Sequence, residues 1–169
     1  ESGPKGEKIA IIDASDHPIG HARSLLTLDL LKKLGLNAEV QAGDCGTLIT
    51  RRAVKEPVEK GGWSIFHTWL VGPDMVNPAV DFPIRGTGDK AWFGWPTDTK
   101  IEELREDWFN AADPAASKKA ADAVHKHAFD FVPVSPPAQF ILPEPSRPPL
   151  PAVPTPPLPP PVHLTTAVP

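Results

Sequence analysis

Residues 29–52 read DLLKKLGLNAEVQAGDCGTLITRR, and that order of signals leaves few folds open. Leu30, Leu31 and Leu34 close an apolar helical face. Lys32 and Lys33 stand in the last turn, where the negative end of the helix dipole favours cations, and Gly35 supplies the left-handed position past the end. Ala38-Glu39-Val40 follows as a strand core, and Gly43-Asp44-Cys45-Gly46 as a turn into Thr47-Leu48-Ile49. Helix, glycine stop, strand, turn and helix in immediate succession are half of an α/β layer. That implies a wound sheet and excludes a helical bundle.

The flanking sequence extends this pattern. Ile9-Ala10-Ile11-Ile12 is an unbroken apolar run between polar neighbours, as in a parallel strand covered on both faces. Ser15 or Asp16 is placed to cap the next helix, with Pro18 in its first turn. Ala22, Leu25, Leu26, Asp29, Leu30 and Leu34 recur at helical spacing and predict its buried face. Strand, helix and the strand at 38–41 form a βαβ crossover. A second helix is expected over about 47–60, kinked or ended early by Pro57. The next strand spans 63–70, WSIFHTWL; alternation puts Trp63, Ile65, His67 and Trp69 on one face and Phe66 with Ser64, Thr68 and Leu70 on the other.

Residues 72–96 carry prolines at 73, 78, 83 and 96 and glycines at 72, 86, 88 and 94, which predicts a long irregular segment. Phe82, Trp92, Phe93 and Trp95 argue that it is ordered. Thr97, Asp98 or Thr99 caps a helix holding Ile101, Leu104 and Trp108. Asp113-Pro114 opens a last helix through Ala116, Ala120, Val124, Ala128 and Phe131.

Composition divides the chain. Residues 133–169 hold 15 of the 23 prolines and two charged side chains, Glu144 and Arg147. Globular sequence is therefore expected over 1–140 and a disordered proline-rich tail over 141–169. From Pro133 on, the proline spacing forbids helix and sheet and favours extended polyproline II, and the segment beyond Phe140 is expected to be dispensable for the fold. The net charge of −4 and the absence of a basic stripe in the sequence argue against nucleic acid. One cysteine excludes an intrachain disulfide, and the sequence has no apolar run near the ~20 residues of a membrane span. The opening Glu1-Ser-Gly-Pro-Lys-Gly is neither a signal peptide nor a natural start, which points to a cut within a longer chain.

Chemical constellations are few. Cys45 has no His beside it in sequence, so a packing role is favoured over a nucleophile. Asp13, Asp16, His17 and His21 form the best metal-like cluster, but strand-end and capping roles account for them, with Pro18 placing His17 at the cap. His125 and His127, two apart on a helix, cannot face one site. The stretch Gly86-Thr-Gly-Asp-Lys90 lacks the spacing of a phosphate loop. No convergent acid/base set or cofactor motif can be assembled. The aromatics Trp63, Phe66, Trp69, Trp92, Phe93 and Trp95 are the residues best suited to touch a ligand, because the strand feeds directly into the long loop and ligands of open α/β sheets sit at strand carboxyl ends.

The phrase LLKKLGLNAEVQAGDxGTLxxRR, continued by Gly61-Gly62-Trp63, Trp69, Asn77-Pro78 and residues 100–108, resembles the C-terminal lobe of family 5 extracellular solute-binding proteins. These are the dipeptide/oligopeptide-binding components of ABC importers. The likeness covers roughly residues 8–140, with Cys45 standing where such sequences carry a Trp. It implies a type II periplasmic-binding-protein-like lobe with a mostly parallel sheet. The implied work is non-catalytic capture of a peptide-like or other small solute for an ABC transporter permease, in the periplasm or outside the cell, without membrane insertion. The segment after the strand lines the cleft in that family, so Trp69, Asp74 and Trp95 are the expected ligand-binding residues; Gly72-Pro73 shifts Asp74 from the family's spacing. The likeness stops near Phe140, where a frame change or truncation is the simplest account. The alternatives are a proline-rich interaction protein presenting its polyproline tail and a small α/β enzyme using 72–96 as a lid.

Overall fold

In the computed structural model, the described residues are 6–140 together with the backbone of 162–167. Strand β1 (Ile9–Ala14) runs parallel to β2 (Ala38–Gly43) on one side and to β3 (Ile65–Val71) on the other, with Ile11 opposite both Val40 and Ile65. Helix α1 (Pro18–Lys33) makes the crossover from β1 to β2. Ala10, Ile11 and Ile12 are almost completely buried, as the unbroken apolar run requires. Removing each large aliphatic chain from water contributes roughly 1.5–3 kcal/mol.

The α1 face against the sheet is not the leucine face. Gly20, Arg23 and Ser24 are buried, whereas Leu26 and Leu34 are 68% and 66% exposed and Leu25 and Leu30 are also exposed. The reason lies in the sheet, whose α1 side presents the buried polar side chains Asp13 and His67. His21 donates to Asp13 Oδ2 at 2.6 Å, Thr27 hydrogen-bonds His67 Nε2 at 3.1 Å, and Arg23 donates to the Thr68 carbonyl at 3.2 Å. Leucines turned inward would leave those groups without partners, at about 1–3 kcal/mol each, so polar matching sets the helix rotation.

Of the residues offered for the cap, the structure uses the one that Pro18 places there. His17, not Ser15 or Asp16, holds the start of α1, its Nδ1 accepting from the Gly20 amide at 3.0 Å. The helix expected over 47–60 begins two residues earlier and is short: α2 (Cys45–Arg51) is capped by Asp44 and gives way to a 3-10 turn at Val58–Lys60. Arg51 donates to the carbonyls of Gly61 and Gly62, both at 2.9 Å, and folds the connection back on itself.

Trp63 precedes the regular part of β3 and therefore escapes strict alternation. It meets Phe66 edge-on at 4.9 Å, on the opposite side of the sheet from His67. That side forms the main core, where Ile12, Ala14, Leu48, Trp63 and Phe66 gather against Trp92, Phe93 and Trp95 from the long loop. The loop is irregular, with 3-10 turns at Gly72–Met75, Phe82–Ile84 and Gly88–Lys90. It is fixed to α3 (Thr99–Phe109) by Glu102, which accepts from Arg85, Arg105 and the Gly86 amide. Gly86 passes so close to α3 that a Cβ there would lie 2.4 Å from the Asp98 carbonyl oxygen.

Asp98 caps α3 and Asp113 caps α4 (Pro114–Phe131), each accepting from a backbone amide three residues on. The two helices pack through a second core of Ile84, Ile101 and Val124, and His127 ties them by bonding Asp98 at 3.0 Å.

Beyond Pro133 the chain departs from the expectation of neither helix nor sheet. Strand β4 (Val134–Phe140) and strand β5 (Val162–Ala167) are antiparallel, giving the order β2-β1-β3-β5-β4. The register shifts between Ser135 and Ala138, where Pro136 and Pro137 offer no N–H to a ladder. Residues 162–167, VHLTTA, are free of proline and rich in β-branched side chains, which is why this piece of the tail pairs. The disorder expected for the remainder of 141–169 falls outside the described residues. Among the described residues, no helix is long and apolar enough to cross a membrane.

Candidate functional site

A cavity of about 250 Å³ opens at the carboxyl ends of β1 and β3, between the starts of α1 and α2. Its apolar wall comes from Ile12, Ala14, Leu48 and Ile49, and its polar wall from Asp13, His17, Ser24, Arg52 and His67. Trp69 stands at its side, 38% exposed and stacked on His17. The two helix starts are joined by Asp16, whose carboxylate accepts from the Cys45 amide at 2.9 Å. Cys45 lines the cavity at the point where α2 begins and packs against the main core.

The polar wall has defined electrostatics. Burial, reinforced by the neighbouring Arg23 and opposed by Asp13, pushes the His67 imidazole down to about 4, so the ring is neutral near pH 7. Burial also lowers Arg23 to about 10, which leaves it charged. Asp13 is 2% exposed; its Oδ2 meets His21, while its Oδ1 has no hydrogen-bond partner among the described residues. Arg52 Nε is likewise buried without a partner there, although the guanidinium lies over the Phe93 ring at 4.3 Å.

The structure separates the three residues singled out in the sequence. Trp69 lines the cavity. Asp74 lies in the 3-10 turn directly after β3, at the same end of the sheet but outside the lining. Trp95 is on the other side of the sheet, 6.2 Å from Trp63, with Lys55 Nζ 4.7 Å over its ring. Asp13 and Arg52, which the sequence does not mark for this place, also line the cavity. The apolar run before Asp13 marks a buried strand end, whereas nothing in the sequence distinguishes Arg52 from Arg51. The metal-like cluster is dispersed: Asp13 pairs with His21, Asp16 holds Cys45 and His17 caps α1. Among the described residues, no group of three or more His, Cys, Asp or Glu side chains is arranged to hold a metal ion.

No protein-family model matches the chain. Over 143 residues it is 36% identical to the probable peptide ABC transporter periplasmic-binding protein y4tO of Sinorhizobium fredii (strain NBRC 101917 / NGR234), a match that takes in 85% of the chain. The chain belongs to a solute-binding protein family. It spans 27% of that relative's length. For a solute-binding protein the cavity is well placed, since it lies at the strand ends where open α/β sheets take ligands.

Proposed function

We propose that this chain supplies one wall of the solute site of a periplasmic binding protein, which captures a small peptide-like solute and delivers it to an ABC transporter permease. The observation that carries this reading is the cavity at the carboxyl ends of β1 and β3, with an apolar wall, a few buried polar groups and a half-exposed indole. Sites for small molecules combine those features, because apolar surface provides affinity and sparse polar groups provide orientation. The relative's name supports the peptide class, the transporter partner and the periplasm. The work is binding, and no bond is made or broken.

In this reading Trp69 is the contact surface, Asp74 a carboxylate at the rim beyond β3, and Trp95 a support that packs behind the sheet against Trp63. The test is a titration of the protein with di- and tripeptides, sugars and amines, followed by tryptophan emission and calorimetry. Peptides should bind, Trp69→Ala should weaken them at least tenfold with the fold intact, and Trp95→Phe should leave affinity within twofold. Equal affinity in Trp69→Ala would remove the cavity from the solute site.

A further inference from the structure

A second cavity, of about 210 Å³, lies between α4, the 3-10 turn at Phe82–Ile84 and the start of β4, and it shares no lining residue with the one at the strand ends. Its wall is mostly apolar, with Met75, Pro83, Ile84, Ala128 and Val134 beside Phe129, which is 74% exposed. Two polar side chains line it, the exposed His125 and the buried Asp81. Asp44, Asp98 and Asp113 each cap a helix through the carboxylate, but Asp81, at the same position before Phe82–Ile84, makes no such bond. The residue is 9% exposed and its Oδ1 is buried without a hydrogen-bond partner among the described residues; Oδ2 is not shut off from solvent. Native structures satisfy nearly all of their buried acceptors. Charge is not what the site lacks. Arg105 lies near enough to oppose the effect of burial on Asp81, while its Nε and Nη1 donate elsewhere, to the Pro78 carbonyl at 2.8 Å and to Glu102 at 3.1 Å. Arg85 and Arg105 are thus matched by Glu102 and Asp81, and what remains unfilled is a hydrogen bond to an already balanced carboxylate.

We propose that this cavity binds a small neutral molecule of the phenol class, with one apolar ring and one hydroxyl group whose O–H donates to Asp81 Oδ2. An ammonium ligand would add a third cation beside Arg85 and Arg105, and like charges repel most strongly where water is excluded. Apolar cavities of about 150 Å³ hold benzene, so the space here takes one ring with its hydroxyl. Ile84, Ala128 and Val134 would cover the ring, as an extension of the second core that they already form with Ile101 and Val124. A ring without the hydroxyl would fill the same space and leave the carboxylate unmatched, and that difference is the source of selectivity. The site is separate from the strand-end cavity, and it stands or falls independently of the solute reading given above.

Three probes sharing one ring test this: phenol, with a neutral donor; toluene, with none; and benzylammonium, with a charged one. Each is titrated into the ¹⁵N-labelled chain, and amide shifts are followed at Asp81, Ile84, Ala128 and Phe129, with Gly20 and Leu48 reporting on the strand-end cavity. Phenol should shift the first four signals and bind at least tenfold more tightly than either of the other probes. Asp81→Leu should lower phenol to about the affinity of toluene, and Ala128→Phe, which fills the space and keeps the carboxylate, should abolish the shifts. If Asp81→Leu does not fold, the ranking of the three probes on the wild type, together with Ala128→Phe, decides alone. Toluene or benzylammonium binding as tightly as phenol, unchanged phenol affinity in a folded Asp81→Leu or in Ala128→Phe, or phenol shifts absent from the four residues or confined to Gly20 and Leu48, overturns the proposal.

Discussion

The imidazole of His17 lies flat on the indole of Trp69, with ring centroids 4.1 Å apart and planes 12° from parallel. The same imidazole accepts the Gly20 amide through Nδ1. One side chain therefore closes the start of α1 and braces the most exposed aromatic surface of the cavity. Replacing His17 by Ala removes both roles and should cost about 1–2 kcal/mol, whereas Asn keeps the cap and should cost about half as much. Urea unfolding of the two variants measures the difference; equal costs would mean that the stack contributes nothing.

The exposed stripe on α1 gives a second test. Leu30→Gln should change stability by no more than about 0.5 kcal/mol, because the side chain already meets solvent. Leu48→Ala, in the main core, should cost about 2–5 kcal/mol. If Leu30→Gln cost as much as Leu48→Ala, α1 would have to be rotated from the orientation described above.

Two buried groups should give opposing pH dependences. His67 has a folded value near 4, below its ordinary 6.5, so the folded state binds fewer protons and this group's contribution to stability is lost as pH falls from 6.5 toward 4. Asp81 is pushed up to about 6 by burial, against a smaller pull from Arg105, so its contribution is lost as pH rises from 3.8 toward 6. Each is on the order of 3 kcal/mol. The wild type should therefore show a shallow profile between pH 4 and 6. Asp81→Asn should gain stability as pH rises across that window, and His67→Gln should lose it. Denaturant midpoints at four pH values distinguish the cases; parallel profiles for the two variants would contradict both assignments.

Gly86→Ala should be among the most damaging small substitutions, at about 3 kcal/mol or more, since the new carbon would overlap the Asp98 backbone and loosen the Glu102 clamp. Limited proteolysis within 72–96 should accelerate accordingly. Unaltered proteolysis would show that the loop does not depend on this close approach.

Truncation after Phe140 removes the strand between β3 and β4. The thermal midpoint should fall by more than a few degrees, contrary to the dispensability expected from the proline content. An unchanged midpoint would mean that 162–167 contributes no stability.

The parallel β1-β2-β3 arrangement was legible because its signals are local: an apolar run, a glycine stop and Asp and Pro at helix starts. The rotation of α1 was not legible. Leu25, Leu26, Leu30 and Leu34 carry a clear helical period, but His67 and Asp13, distant in sequence, decide which side faces inward. That Trp95 packs near Trp63, on the other side of the sheet from Trp69, was not legible either, because linear order conceals which side of a sheet a loop returns to.

Pro136 and Pro137 have a consequence for the whole sheet. β4 is an outer strand, and an outer strand normally offers an open row of N–H and C=O groups to any passing chain. Two successive residues without N–H, at a break in register, interrupt that row. The sheet is thereby protected on this side from edge-to-edge association, a safeguard against aggregation written into the same proline bias that distinguishes the end of the chain.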